Sequence, residues 1–72
     1  MNDYIEFQIE RSNNASQPYY FVIKTRSNHK VLASSETYAN KADCKRAIEL
    51  IRAFGATGAV WDMTVTPLEW IA

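Results

Sequence analysis

Few residues in this 72-residue chain could do chemistry, and they are far apart in sequence. Cys44 is the only cysteine and His29 the only histidine. A thiol nucleophile needs a lowered pKa and a base placed to take its proton. Cys44 falls near the start of a predicted helix, where a thiol pKa drops, but the sequence sets no base beside it. It reads as a small core residue on the apolar face of that helix. His29 sits in the polar run Arg26-Ser-Asn-His-Lys30 and reads as a solvated turn residue. Two potential ligands on different elements do not make a metal site. Glu36 and Tyr38 are the last candidate pair. They lie where the chain enters the helix, a place where a Glu satisfies backbone amides and a Tyr ring packs on the helix start. No catalytic, cofactor-binding or metal-binding residue is assigned, and an enzyme using Cys44 or Glu36 is the third of three readings.

Two other groups of residues suggest binding. Lys24, Arg26, His29 and Lys30 make one predicted hairpin tip basic, with Lys41, Lys45 and Arg46 expected nearby. Together with Tyr19 and Tyr20 they suggest a surface that contacts phosphates and stacks on bases. Against this, the chain has eight basic and eight acidic residues, without the global positive field of a general nucleic-acid or anionic-membrane binder. A solvated rim is the first reading and nucleic-acid binding the alternative. The second group is apolar: Trp61, Met63 and Val65 at alternate positions, then Leu68, Trp70 and Ile71 in the tail. These six are the predicted dimer interface.

The elements that position these residues follow from periodicity. Residues 4–10 alternate, with Ile5, Phe7 and Ile9 on one face and Glu6, Gln8 and Glu10 on the other, which predicts a half-buried strand. Residues 11–18 are a polar loop. They contain the glycosylation sequon Asn14-Ala15-Ser16, read as loop because no secretory signal precedes it. Residues 19–25 are aromatic and β-branched, a second strand. Asn28 suits positive φ in the turn that follows, and residues 31–35 form a short third strand. Cys44, Ala47, Ile48, Leu50, Ile51 and Phe54 recur at helical spacing and predict a helix over 41–54. Asn40 is its expected N-cap, Asp43 its capping-box partner and Gly55 its left-handed terminator. Burying each Ile, Leu or Phe of that stripe contributes about 1.5–3 kcal/mol. A fourth strand is expected over 59–66, ended by Pro67 and reached through a Gly55–Gly58 hinge.

The order β-β-β-α-β describes an α+β unit, one domain over residues 1–72, with an antiparallel sheet and one helix on a face. A chain this small is marginal alone, since it buries only about 60% of its unfolded surface. With no disulfide and no metal cluster, oligomerisation is the remaining route to stability. The fourth strand can return to its own sheet or cross to a second subunit. No apolar run is long enough for a transmembrane helix, and the N-terminus lacks a secretory pattern, so the cytoplasm is the expected compartment. The expected partner is a second copy of the chain, with no membrane and no identifiable small-molecule substrate.

The segment Leu32 to Arg52 resembles the YegP-like family of small proteins of uncharacterised function. Its pattern is an apolar strand, then Ser35-Glu36 and Tyr38, then Lys41 and a helix carrying Ile48, Ile51 and Arg52. Tyr20 to Lys24 resembles the family's second strand and Phe7-Gln8-Ile9 its first, so the likeness covers about residues 5–62. The chain departs from the pattern at Asn28-His29, where the family has Asn-Gly, and at Ala47, where it tends to have Gly. The resemblance implies β-β-β-α-β units that pair into one sheet with exchanged C-terminal strands. For a single-unit chain that implies a homodimer, and it supplies no active site.

Overall fold

The structure is a computed structural model and describes residues 4–72. Strands β1 (Ile5–Arg11), β2 (Tyr19–Thr25) and β3 (Val31–Ser34) form an antiparallel sheet in the order β1-β2-β3. Phe7 pairs with Ile23, and Ile9 with Phe21. Alternation therefore gathers the apolar residues of both strands on one face, and helix α1 (Lys41–Phe54) lies across it. The helix has the limits its periodicity predicts. The core is Phe21, Cys44 and Ile48, with Phe7, Ile9, Tyr19, Ile23, Tyr38 and Ala47 packed around them. The Phe7 and Phe21 rings meet at 6.2 Å between centroids, tilted by 55°, a favourable aromatic geometry.

The helix buries less than its stripe promises. Leu50 and Phe54 remain 62% and 64% exposed, and Ile51 and Ile5 are exposed as well. A three-stranded sheet, whose β3 is four residues long and exposed throughout, is too narrow to cover a six-residue apolar band.

The caps differ from expectation. Asn40 has the extended backbone of an N-cap, but its side chain caps no amide. Its Nδ2 donates instead to Asp43 Oδ2 at 3.4 Å, and Asp43 also accepts from Arg46 Nη1 at 3.1 Å. The Asn40 carbonyl accepts from the Asp43 and Cys44 amides. Gly55 is right-handed, with φ −60° and ψ −36°, so α1 runs on into a 3-10 turn over Gly55–Thr57. Gly58, with φ −65° and ψ 136°, is also in ordinary space. Neither glycine of the expected hinge requires a conformation that only glycine reaches.

In the hairpin between β2 and β3 the positive φ belongs to His29, at 55°, and not to Asn28. Asn28 acts through its side chain, whose Oδ1 accepts from Thr25 Oγ1 and from the Lys30 amide. The left-handed position is the one where the family pattern has glycine. A register shift between Ile23 and Lys24 absorbs the irregular length. In the loop after β1, Asn14 Oδ1 accepts from the Ser16 and Gln17 amides and from Ser16 Oγ, an Asx turn that gives the sequon asparagine a structural role.

The fourth strand departs most. Only Trp61–Asp62 is extended (β4), and it pairs antiparallel with Glu69–Trp70 (β5) in a separate two-stranded sheet. Asp62 Oδ1 takes the Thr64 amide at 2.9 Å and turns the chain away. Pro67 has no amide to donate. The Val60 amide donates to Ala72 O, and the Ile71 amide to Val60 O, each at 2.7 Å. In the single chain, then, this segment pairs with the chain's own tail and not with the main sheet.

These backbone angles predict that opposite exchanges, one to glycine and one from it, are stabilising at two positions. His29→Gly removes a left-handed L-residue and should raise stability by about 0.5–1 kcal/mol, the larger relief being offset by glycine's unfolded-state entropy. Gly55→Ala places a Cβ 3.5 Å from Ile51 Cγ2, an ordinary contact, on a helical backbone, and should also stabilise, by about 0.4–1 kcal/mol. Urea midpoints of the two variants check both signs.

Candidate functional site

Cys44 has no accessible surface, and burial pushes its thiol pKa up. The helix start does not make it a thiolate, because desolvation acts in the opposite sense. Among the described residues no three His, Cys, Asp or Glu side chains converge on one point. Tyr38 packs on the core, and its backbone amide and carbonyl bridge to those of Tyr19. Burial, and then the Glu36 charge, raise its hydroxyl pKa. Glu36 itself is exposed. Its carboxylate accepts none of the hydrogen bonds described around the strand-to-helix turn, where Ser35 Oγ instead accepts from the Phe21 amide and donates to Glu36 O. The expected amide-satisfying role of Glu36 thus belongs to Ser35.

The expected basic surface is split in two. Lys24, Arg26, His29 and Lys30 lie at one end of β2, and Tyr19 at the other, about 20 Å away along the strand. Arg26 is tied to β1: its Nη1 meets Glu6 Oε1 at 2.8 Å, its Nε donates to Tyr4 OH at 3.1 Å, and its guanidinium lies over the Tyr4 ring. The Glu6 pKa is held down by the Gln8 amide and by Arg26. At the far end, Arg11 Cζ stands 5.3 Å and Lys41 Nζ 5.7 Å from the Tyr19 ring centroid. Sequence reading missed Arg11. The signal was there: extending the strand's alternation one residue past Glu10 puts Arg11 on the face of Ile5, Phe7 and Ile9, opposite Tyr19.

Between β1 and α1 runs an open groove of about 1060 Å³, floored by Ile5, Phe7, Ile9, Ile48 and Ile51 and edged by Lys45, Glu49 and Arg52. A smaller hollow of about 400 Å³ continues it past Ile9 and Lys45 to Arg11, Tyr19 and Lys41, with Glu10 at its rim. Of the six predicted interface residues, Trp61, Met63, Leu68, Trp70 and Ile71 are exposed on the C-terminal hairpin and its flanks, and Val65 is half-buried. Among the described residues, no hydrogen bond or ion pair joins residues 60–72 to the rest of the chain.

The fold and its surface define a small α+β domain with an apolar groove, an apolar C-terminal hairpin and a buried, inert thiol. A family model described as a domain of unknown function (DUF1508) matches residues 14–62. That span is well over half of the chain, which therefore belongs to this family, in agreement with the YegP-like resemblance. β1 and the tail lie outside the matched span. No curated protein and no solved structure matches the chain. No helix among the described residues is long and apolar enough to cross a membrane.

Burial of Cys44 has a measurable consequence. A thiol-directed reagent should label it only after denaturation, and fast labelling of the native protein would contradict the packing described. Its folded pKa is raised, so its contribution to stability is present below the unfolded thiol pKa, about 8.5, and is lost as pH rises through and above it. The urea midpoint should fall more steeply between about pH 8 and pH 10 for the wild type than for Cys44→Ala.

Proposed function

We propose that this domain is a non-enzymatic homodimeric module whose C-terminal segment crosses to a second copy and completes that copy's sheet. The observation that carries this reading is a surplus of surface. The chain exposes 5846 Å², whereas a compact monomer of 8.2 kDa exposes about 4500 Å², an excess of about 1300 Å². Its radius of gyration is 14.8 Å, against about 11 Å for a compact domain of this length. An excess of that size per subunit falls in the range that obligate dimers bury.

The composition of the surplus supports the same reading. Leu50, Phe54, Trp61, Met63, Leu68, Trp70 and Ile71 are all at least half exposed, on the second half of α1 and on the C-terminal hairpin and its flanks. A patch of this kind marks an association surface. Both outer strands, β1 and β3, have an unpaired edge that a further strand can join. A lone buried thiol suits a reducing compartment, and we place the module in the cytoplasm.

Light scattering behind a sizing column, across a dilution series, should give twice 8.2 kDa. A monodisperse monomer at tens of micromolar would sink the proposal. Trp70→Ala should raise the dimer dissociation constant at least about tenfold, as expected for a central interface tryptophan.

A further inference from the structure

Building on the self-assembly reading above, we infer that the two copies are latched by charge, with Asp62 and Glu69 of one chain's hairpin set against the Arg11, Lys41 and Lys45 cluster of the other. The large groove and the smaller hollow share Ile9 and Lys45, so they form one trough along β1 and α1. One end is apolar and the other basic. At the basic end Arg11 and Lys41 flank one tyrosine ring, and Lys45 lies one helical turn beyond Lys41. Elsewhere on the helix Arg46 is paired with Asp43 and Arg52 with Glu49. Arg11, Lys41 and Lys45 make no ion pair among the described residues; the acids beside them are Glu10 at the rim of the hollow and Glu49, which is paired with Arg52.

The hairpin has the complementary problem. Asp62 stands directly opposite Glu69, and Trp61 opposite Trp70. Like charges facing each other across an antiparallel pair are destabilising. Hydrogen bonds from Thr64 hold the Asp62 pKa down, so the carboxylate stays ionised. Neither acid has a cationic partner among the described residues. The hairpin thus carries its carboxylate pair on the face opposite its tryptophan pair, and the carboxylate face is the one that complements the basic end of the trough. In a neutral chain these are two separate charge clusters of opposite sign, neither of which makes an ion pair among the described residues.

Within one chain the two do not meet. The hairpin follows the C-terminus of α1, while Lys41 is at its N-terminus, about 20 Å along the axis. A two-fold dimer makes the contact twice, hairpin of each copy on trough of the other.

The test is a charge exchange between copies. Chain variant one carries Lys41→Glu and Lys45→Glu; variant two carries Glu69→Lys and Asp62→Asn, the asparagine keeping the acceptor that Thr64 uses. Each alone should dimerise at least tenfold more weakly than wild type, and an equimolar mixture should recover the dimer as a heterodimer, in which each latch again pairs opposite charges. Wild-type dimers unaffected by either variant, or weakened variants that mixing does not rescue, would overturn the latch and leave self-assembly standing. A monomeric wild type would overturn both. Should a reversal variant fail to fold, as read by circular dichroism, the neutral Lys41→Gln, Lys45→Gln chain decides. Added salt should weaken the wild-type dimer and leave the neutral one unchanged, and equal salt dependence would sink the latch.

Discussion

The packing of Cys44 and Ile48 against Phe21 is the interaction on which the rest depends. It fixes the helix to the central strand, and through Phe7, Ile9 and Ile23 it joins the first two strands to the same core. Among the described residues Phe21, Cys44 and Ile48 alone are buried, and Cys44 alone completely. A single layer of helix on three strands cannot enclose more, because the sheet is narrow and its third strand is four residues long. The same geometry that makes the fold possible therefore leaves Leu50, Ile51 and Phe54 uncovered and opens the trough beside β1. The large apolar surface follows from the size of the unit.

Local structure is settled largely by side chains that bond to nearby backbone. Asn14, Asn28 and Asp62 each hold a turn or a bend through an accepting side-chain oxygen, and Ser35 Oγ donates to the adjacent Glu36 carbonyl. Such short-range bonds let a chain with few buried contacts keep defined loops. They also leave the charged residues of those loops in water. The ion pairs follow suit: the three among the described residues are surface pairs of exposed or half-buried side chains, of a kind that contributes little to stability. Their effect here is on arrangement. They neutralise Arg26, Arg46 and Arg52 and leave two groups without an ion pair among the described residues, Lys24 and Lys30 at the hairpin end and Arg11, Lys41 and Lys45 around Tyr19.

Reading function from the sequence was limited by the same arrangement. Cys44 was legible as a core residue because it sits on the helical stripe, and burial removes its nucleophilic character. The basic tip was legible as a set of residues but not as a surface. Strand direction sets Tyr19 at the opposite end from Lys24, and one ion pair with Glu6 takes Arg26 away. The six apolar residues expected at an interface are legible by residue type, and five of them are exposed in the structure.

Periodicity and composition alone determined the three strands, the helix from 41 to 54 and the faces they present, because alternation and the 3.6-residue repeat are properties of adjacent residues. They also determined that a neutral 72-residue chain with one cysteine, and so no internal disulfide, would be short of core. Tertiary structure decided which positions bear the conformational strain, moving positive φ from Asn28 to His29 and leaving Gly55 helical. It decided that Asp62 and Pro67 break the fourth strand into a hairpin with the tail. It also brought Arg11 beside Lys41 over one ring. Each of these depends on strand register or on a contact between distant residues, and nothing in local spacing encodes where two distant segments come to rest against each other.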